Sequence, residues 1–90
     1  MTQVLTTIKI FPSDAGAEMT RLKDVVRKRL EAKATIYKYE EEPVAFGLVA
    51  LVAHVLTPEE VEGRMDEVEE ILKATEGVSE VQVMVSRRIA

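Results

Sequence analysis

The chain has no cysteine, no tryptophan, a single histidine, four glycines, three prolines and 4% aromatic residues in 90. Without cysteine there is no disulfide, no thiolate metal site, no iron–sulfur cluster and no cysteine nucleophile. A zinc site built on the one histidine, His54, needs an otherwise all-carboxylate shell, so neither a metal nor a cofactor is expected. Scarce glycine and proline argue against disorder and against a low-complexity tail. No apolar run reaches the roughly 20 residues a membrane-spanning helix needs. The opening MTQVLTTIKIFP lacks the basic flank, apolar core and small-residue cleavage site of a secretory signal. The expected place is therefore the cytoplasm, away from any membrane.

What is present is 47% hydrophobic and 31% charged residue, with a formal net charge of -4. That charge disfavours a nucleic-acid binder held by bulk electrostatics, so no direct nucleic-acid partner is expected. Ninety residues suffice for one domain spanning 1–90, and a chain of this size buries roughly 60 to 65% of its unfolded surface. The longest apolar stretch, PVAFGLVALVAHV from Pro43 to Val55, stands between Glu40, Glu41 and Glu42 on one side and Thr57 and Pro58 on the other. It reads as a central strand, with Phe46 and Gly47 at its entrance.

The other elements follow from periodicity. Gln3 to Phe11 reads as a strand, with Val4, Ile8 and Ile10 in one phase. From about Ala17 to Glu31, Met19, Leu22, Val25, Val26 and Leu30 keep helical spacing, while Arg21, Lys23, Arg27, Lys28 and Arg29 form a basic opposite face. Ala34 to Glu40 reads as a second strand, and the three glutamates with Pro43 as a longish hairpin loop. Adjacent carboxylates on an extended chain alternate sides and cannot converge on one ion.

Thr57, Pro58 and Glu60 read as a capping box opening a second helix, with Val61, Met65, Val68, Ile71 and Leu72 as its buried stripe and Gly77 as its left-handed stop. Val78 to Arg88 alternates, placing Val81, Val83 and Val85 in one phase and Met84 in the other. The order strand, helix, strand, strand, helix, strand predicts an α+β, ferredoxin-like βαββαβ sandwich: four antiparallel strands with two helices on one face. The other face is then open along one phase of the third strand, Leu48, Ala50, Val52 and His54 or its alternate, with Leu5 or Met84 nearby. It is either an apolar binding surface or simply a half-covered sheet.

No catalytic constellation emerges. His54 sits in an apolar strand, no nucleophile motif flags a serine or threonine, and no glycine-rich phosphate loop is present. The chain is expected to be no enzyme but a domain that acts by touching another macromolecule.

EEPVAFGLVAL, with its P-x-x-F-G segment, and the terminal VQVMVSRRI resemble the archaeal type of the translation elongation factor 1-beta family, and the resemblance covers essentially the whole chain. It implies a ferredoxin-like guanine-nucleotide exchange factor whose partner is the GTPase elongation factor 1-alpha. That partner holds the GDP or GTP. The family's loop aromatic corresponds to Phe46, beside Gly47, and its basic C-terminal residue to Arg88, preceded by Arg87. The eukaryotic branch has lysine at that basic position, and a planar guanidinium is not a simple substitute for it. Which of Arg87 and Arg88 enters the partner's magnesium site stays open, each being expected on a thin, exposed chain end. From the residues alone, a small-molecule-sensing ferredoxin-like domain or an RNA-binding module using the basic helix face are the competing readings.

Overall fold

A computed structural model describes residues 2–13, 18–58 and 63–89, with Phe46 described by its backbone. Six regular elements follow in the order β1 (Gln3–Pro12), α1 (Met19–Leu30), β2 (Thr35–Pro43), β3 (Val49–Pro58), α2 (Arg64–Lys73) and β4 (Val78–Ile89). All neighbouring strands are antiparallel, in the sheet order β2-β3-β1-β4. This is the ferredoxin-like arrangement, with β1 and β3 inside and β2 and β4 at the edges.

Alternation along the two inner strands decides which side the helices cover. Thr6, Ile8 and Ile10 of β1 and Leu51, Ala53, Val55 and Thr57 of β3 are buried on one face. Leu22, Val26 and Leu30 of α1 and Val68 and Leu72 of α2 close over them in a single core. Leu5, Thr7 and Lys9 with Val52, His54 and Leu56 occupy the other face and are half-buried.

Sequence periodicity predicts α1, which is seen from Met19; its proposed opening at Ala17 lies outside the described residues. Arg27, Lys28 and Arg29 stand in its last turn, where they complement the helix dipole. Helix α2 differs. Thr57 and Pro58 are not its cap but the last residues of β3, opposite Val4 and Gln3. Glu59, Glu60 and Val61 of the expected start lie outside the described residues. An N-cap is worth about 1 kcal/mol, less than continued pairing with β1 plus burial of Thr57, which is 3% exposed. Gly63, at φ 74°, precedes the first turn of α2, where Asp66 and Glu67 favour the positive end of the dipole. Arg64 donates from Nη1 to the Lys33 carbonyl at 2.7 Å, and Lys33 pairs with Glu67 at 2.8 Å, tying the end of α1 to the start of α2.

Helix α2 ends at Lys73 with Ala74, not Gly77, as its C-cap. Gly77 is left-handed, at φ 92°, but in the turn leading to β4. Its carbonyl accepts from the Ser13 amide at 2.9 Å, fastening that turn to the end of β1.

Three register breaks interrupt the edge strands. One, between Phe11↔Glu80 and Pro12↔Val78, lies at the start of β4, and the other two shape the open face. In β4 the pairing steps from Thr7↔Val85 to Ile8↔Val83, leaving Met84 as an extra residue. Val81 and Val83 therefore face the helices with Ile10 and Ile8, while Val85 faces the open side. The expected single phase of the three valines does not hold. In β2 the step from Ile36↔Val55 to Lys38↔His54 leaves Tyr37 extra in the same way. Bulges of this kind twist an edge and discourage pairing with another chain.

Candidate functional site

The acidic run expected in a loop is strand. Glu40, Glu41 and Glu42 pair with Val52, Leu51 and Ala50, which extends β2 to Pro43. Their carboxylates alternate between faces, and each meets a cation there. Glu41 reaches Lys23 of α1 at 2.8 Å, Glu42 pairs with Lys9, and Glu40 lies 3.2 Å from both Lys38 and His54. Hydrogen bonds from Lys38 and then His54 hold the Glu40 carboxyl below the usual carboxylate range.

With Glu40 to Pro43 taken up by the strand, the link to β3 is short. Val44 donates to the Leu48 carbonyl at 2.8 Å, and Ala45, Phe46 and Gly47 form one turn of 3-10 helix between them. Gly47 closes it at φ 76°, the left-handed position that a three-residue hairpin turn uses. A Cβ at Gly47 meets nothing within 4 Å, so backbone conformation rather than space asks for glycine there. The sequence placed Phe46 at the entrance of the strand, and its backbone stands at the tip of this hairpin.

Arg87 and Arg88 are not on a loose end. They pair with Leu5 and Val4 of β1, and Ile89 pairs with Gln3. Because β1 alternates, Arg87 falls on the open face with Leu5, and Arg88 on the helix side with Val4. Both are exposed.

The four expected site residues do not form one cluster. β3 leaves the Phe46 turn at Val49 and reaches the level of Arg87 at Leu56, since Leu5 pairs with both Leu56 and Arg87. That separation is seven residues along the strand, roughly 23 Å at about 3.3 Å per residue.

Around Arg87 the structure assembles residues that periodicity did not join. A groove of about 440 Å³ on the open face is lined by Leu5, Thr7, Tyr37, Lys38, His54, Val85 and Arg87. Thr7 Oγ1 and His54 Nδ1 share a hydrogen bond of 3.0 Å at its base. Tyr37 is 62% exposed and Val85 57%, both set toward the open side by the bulges beside them. Bulges carry no sequence signature strong enough to reveal that assembly. The open face is thus not the continuous apolar patch that the strand pattern allows: Ala50 is fully buried, Lys9 and Glu42 cross the middle, and large exposed apolar groups sit on the edges. Among the described residues no group of three or more His, Cys, Asp or Glu is placed to hold a metal ion. Nor, among them, is any helix long and apolar enough to cross a membrane.

Comparison with known proteins agrees with this architecture. The solution structure of the C-terminal domain of the MgtC protein from Mycobacterium tuberculosis superposes with a TM-score of 0.64 over 91% of this chain and 85% of that one. At 18% identity, that likeness speaks to the fold alone. Elongation factor 1-beta of Sulfurisphaera tokodaii is 40% identical over 84 residues, 93% of this chain and 92% of its own length. The protein of the same name from Staphylothermus marinus is 39% identical over 89 residues, covering 99% of each chain. That from Hyperthermus butylicus is 37% identical over 90 residues, covering 100% of this chain and 98% of its own. The model of the EF-1 guanine nucleotide exchange domain matches residues 5–89. A family model and archaeal relatives that span nearly the whole chain lead to one conclusion: the chain belongs to the EF-1 guanine nucleotide exchange domain family, and its role is guanine-nucleotide exchange in translation elongation.

Proposed function

We propose that the chain, acting as one domain over residues 1–90, promotes GDP release from elongation factor 1-alpha in the cytoplasm and so regenerates its GTP form. The observation that carries this reading is the match of the exchange-domain family over residues 5–89. The nucleotide and its Mg²⁺ belong to the GTPase, and the chain itself performs no covalent chemistry.

An exchange factor acts by linkage. It binds the nucleotide-free GTPase more tightly than the GDP-bound one, and by reciprocity it weakens GDP binding by the same factor. A cation brought to the magnesium site competes with the ion for its oxygen ligands, loosening a large part of the hold on the phosphates. Arg88 takes that role here, and Phe46 with Gly47 forms a second contact at the hairpin tip. Roughly 23 Å of strand between the two ends supports a grip at two places rather than in one pocket.

The test is release of labelled GDP from the cognate GTPase with the chain added at micromolar concentration. Acceleration that saturates with added chain is expected. An unchanged release rate overturns the reading.

A further inference from the structure

We propose that the groove around Arg87 on the open sheet face is a docking site for an acidic, apolar-flanked segment of the partner GTPase, anchored by the Arg87 guanidinium. This rests on the exchange-factor reading for the partner's identity and goes beyond it in assigning the groove and the chemistry of its occupant.

Charge within the groove supports an anionic occupant. The chain carries a net charge of -4, yet no carboxylate lines this cavity, whereas Lys38 and Arg87 do. Lys38 is already engaged by Glu40, which also bonds His54. Arg87 has no ion pair among the described residues, while Lys9, Lys23, Lys28, Lys33 and Lys73 are each paired. Arg21 and Arg29 of α1 also show no ion pair among the described residues, but they line a different cavity. Within this groove the uncompensated charge therefore sits at Arg87, whose fork of donors matches a carboxylate in two parallel hydrogen bonds.

The surroundings select a protein segment over a nucleic acid. Leu5, Val85 and Tyr37 wall the groove with apolar surface suited to a neighbouring aliphatic or aromatic side chain. A polyanion laid along the same face meets Glu40 and Glu42, and Glu80 opposite Phe11, all on the open side. Glu40 and Glu42 already hold Lys38, His54 and Lys9, so those cations are not free for successive phosphates. Glu80 adds repulsion, while one carboxylate at Arg87 is undisturbed. The assignment also separates the two arginines. Arg88 faces the other side of the sheet, so its contact with the partner is distinct from this one.

The experiment compares the wild-type chain with Arg87→Glu, Arg87→Gln, Tyr37→Ala and Arg88→Ala, each checked for folding by thermal melting. Binding to the nucleotide-free GTPase gives Kd, and labelled GDP release against factor concentration gives the half-saturating concentration and maximal rate. Expected is a Kd raised at least tenfold by Arg87→Glu and severalfold by Arg87→Gln and Tyr37→Ala, with a shallower salt dependence at Arg87→Glu. Arg88→Ala acts mainly on the maximal rate. If wild type exchanges and Arg87→Glu and Arg87→Gln bind within twofold of it, or lower only the maximal rate, the groove assignment is overturned while the exchange reading stands. Loss of single-stranded RNA binding in the Arg87 variants with unchanged GTPase affinity also overturns it. Wild type that neither binds nor exchanges overturns both.

Discussion

Arg87 and Arg88, adjacent in sequence, face opposite sides of the sheet: Arg87 lies opposite Leu5 on the open face and Arg88 opposite Val4 on the helix side. One approach by a partner cannot use both in the same way. In the proposed reading, that separate placement assigns docking to Arg87 and action on the nucleotide site to Arg88.

Exchange should respond to Phe46 and Arg88 independently. Arg88→Ala is expected to slow GDP release about tenfold, equivalent to about 1.4 kcal/mol of barrier, with Arg88→Lys recovering a larger share than alanine. Phe46→Ala should weaken exchange at subsaturating factor. Sites this far apart usually combine additively within about 0.5 kcal/mol. The double variant is therefore expected to show the product of the two single effects when labelled GDP release is measured under identical conditions.

Deleting Arg87 to Ala90 should cost stability as well as exchange. An unpacked end predicts almost no loss, but Arg87, Arg88 and Ile89 extend the ladder with Leu5, Val4 and Gln3. Net contributions near 1 kcal/mol per lost backbone hydrogen bond suggest a loss of about 1 to 2 kcal/mol. Urea unfolding of the truncated and full chains reads this as a lower midpoint. An unshifted midpoint contradicts the pairing.

Gly47→Ala isolates a backbone effect. The added methyl has open space, so the expected loss of about 1 kcal/mol comes only from holding a side-chain-bearing residue at φ 76°. Denaturant unfolding should show a lowered midpoint with an unchanged slope.

Titration should act at both ends of the pH scale. Tyr39 donates its hydroxyl to the Lys23 carbonyl at 2.7 Å, and burial pushes its pKa up to about 12. From about pH 10, the ordinary tyrosine value, the unfolded chain sheds this proton while the folded chain keeps it. Its contribution is intact below pH 10 and is lost as pH rises toward about 12. Asp24, beside Arg27 and Lys28, Glu40, beside Lys38 and His54, and Glu67, beside Lys33 and Arg64, are all lowered. Their contributions are present above the usual carboxylate value of about 4 and disappear as pH falls through the lowered ones. Urea midpoints across pH should fall at both extremes, and Tyr39→Phe should flatten the alkaline limb while costing about 1 kcal/mol near neutrality.

Much of the fold was legible because it rests on periodicity. Ile8 and Ile10, Leu22 and Val26, and Val68 and Leu72 repeat at strand or helix spacing, and all six are buried. Residues 43–55 held the double-sided apolarity of an inner strand, although its first residues became the end of β2 and the hairpin turn. Local signals that competed with long-range pairing were the ones that misled. Thr57 and Pro58 look like a cap but stay with β1, and Glu40 to Glu42 look like a loop but extend β2 once cations stand on both sides of it.

The sequence by itself determined the order of elements, the core and the positions of Phe46, Gly47, Arg87 and Arg88, because apolar spacing and residue identity are properties of the chain alone. Only the tertiary structure decided that the Phe46 turn and the arginines stand at opposite ends of the sheet, that Arg87 and Arg88 look to opposite faces, and that Tyr37, Val85 and Arg87 share one groove. Strand register and the bulges at Tyr37 and Met84 set those relationships, and both depend on backbone pairing between residues distant in the chain.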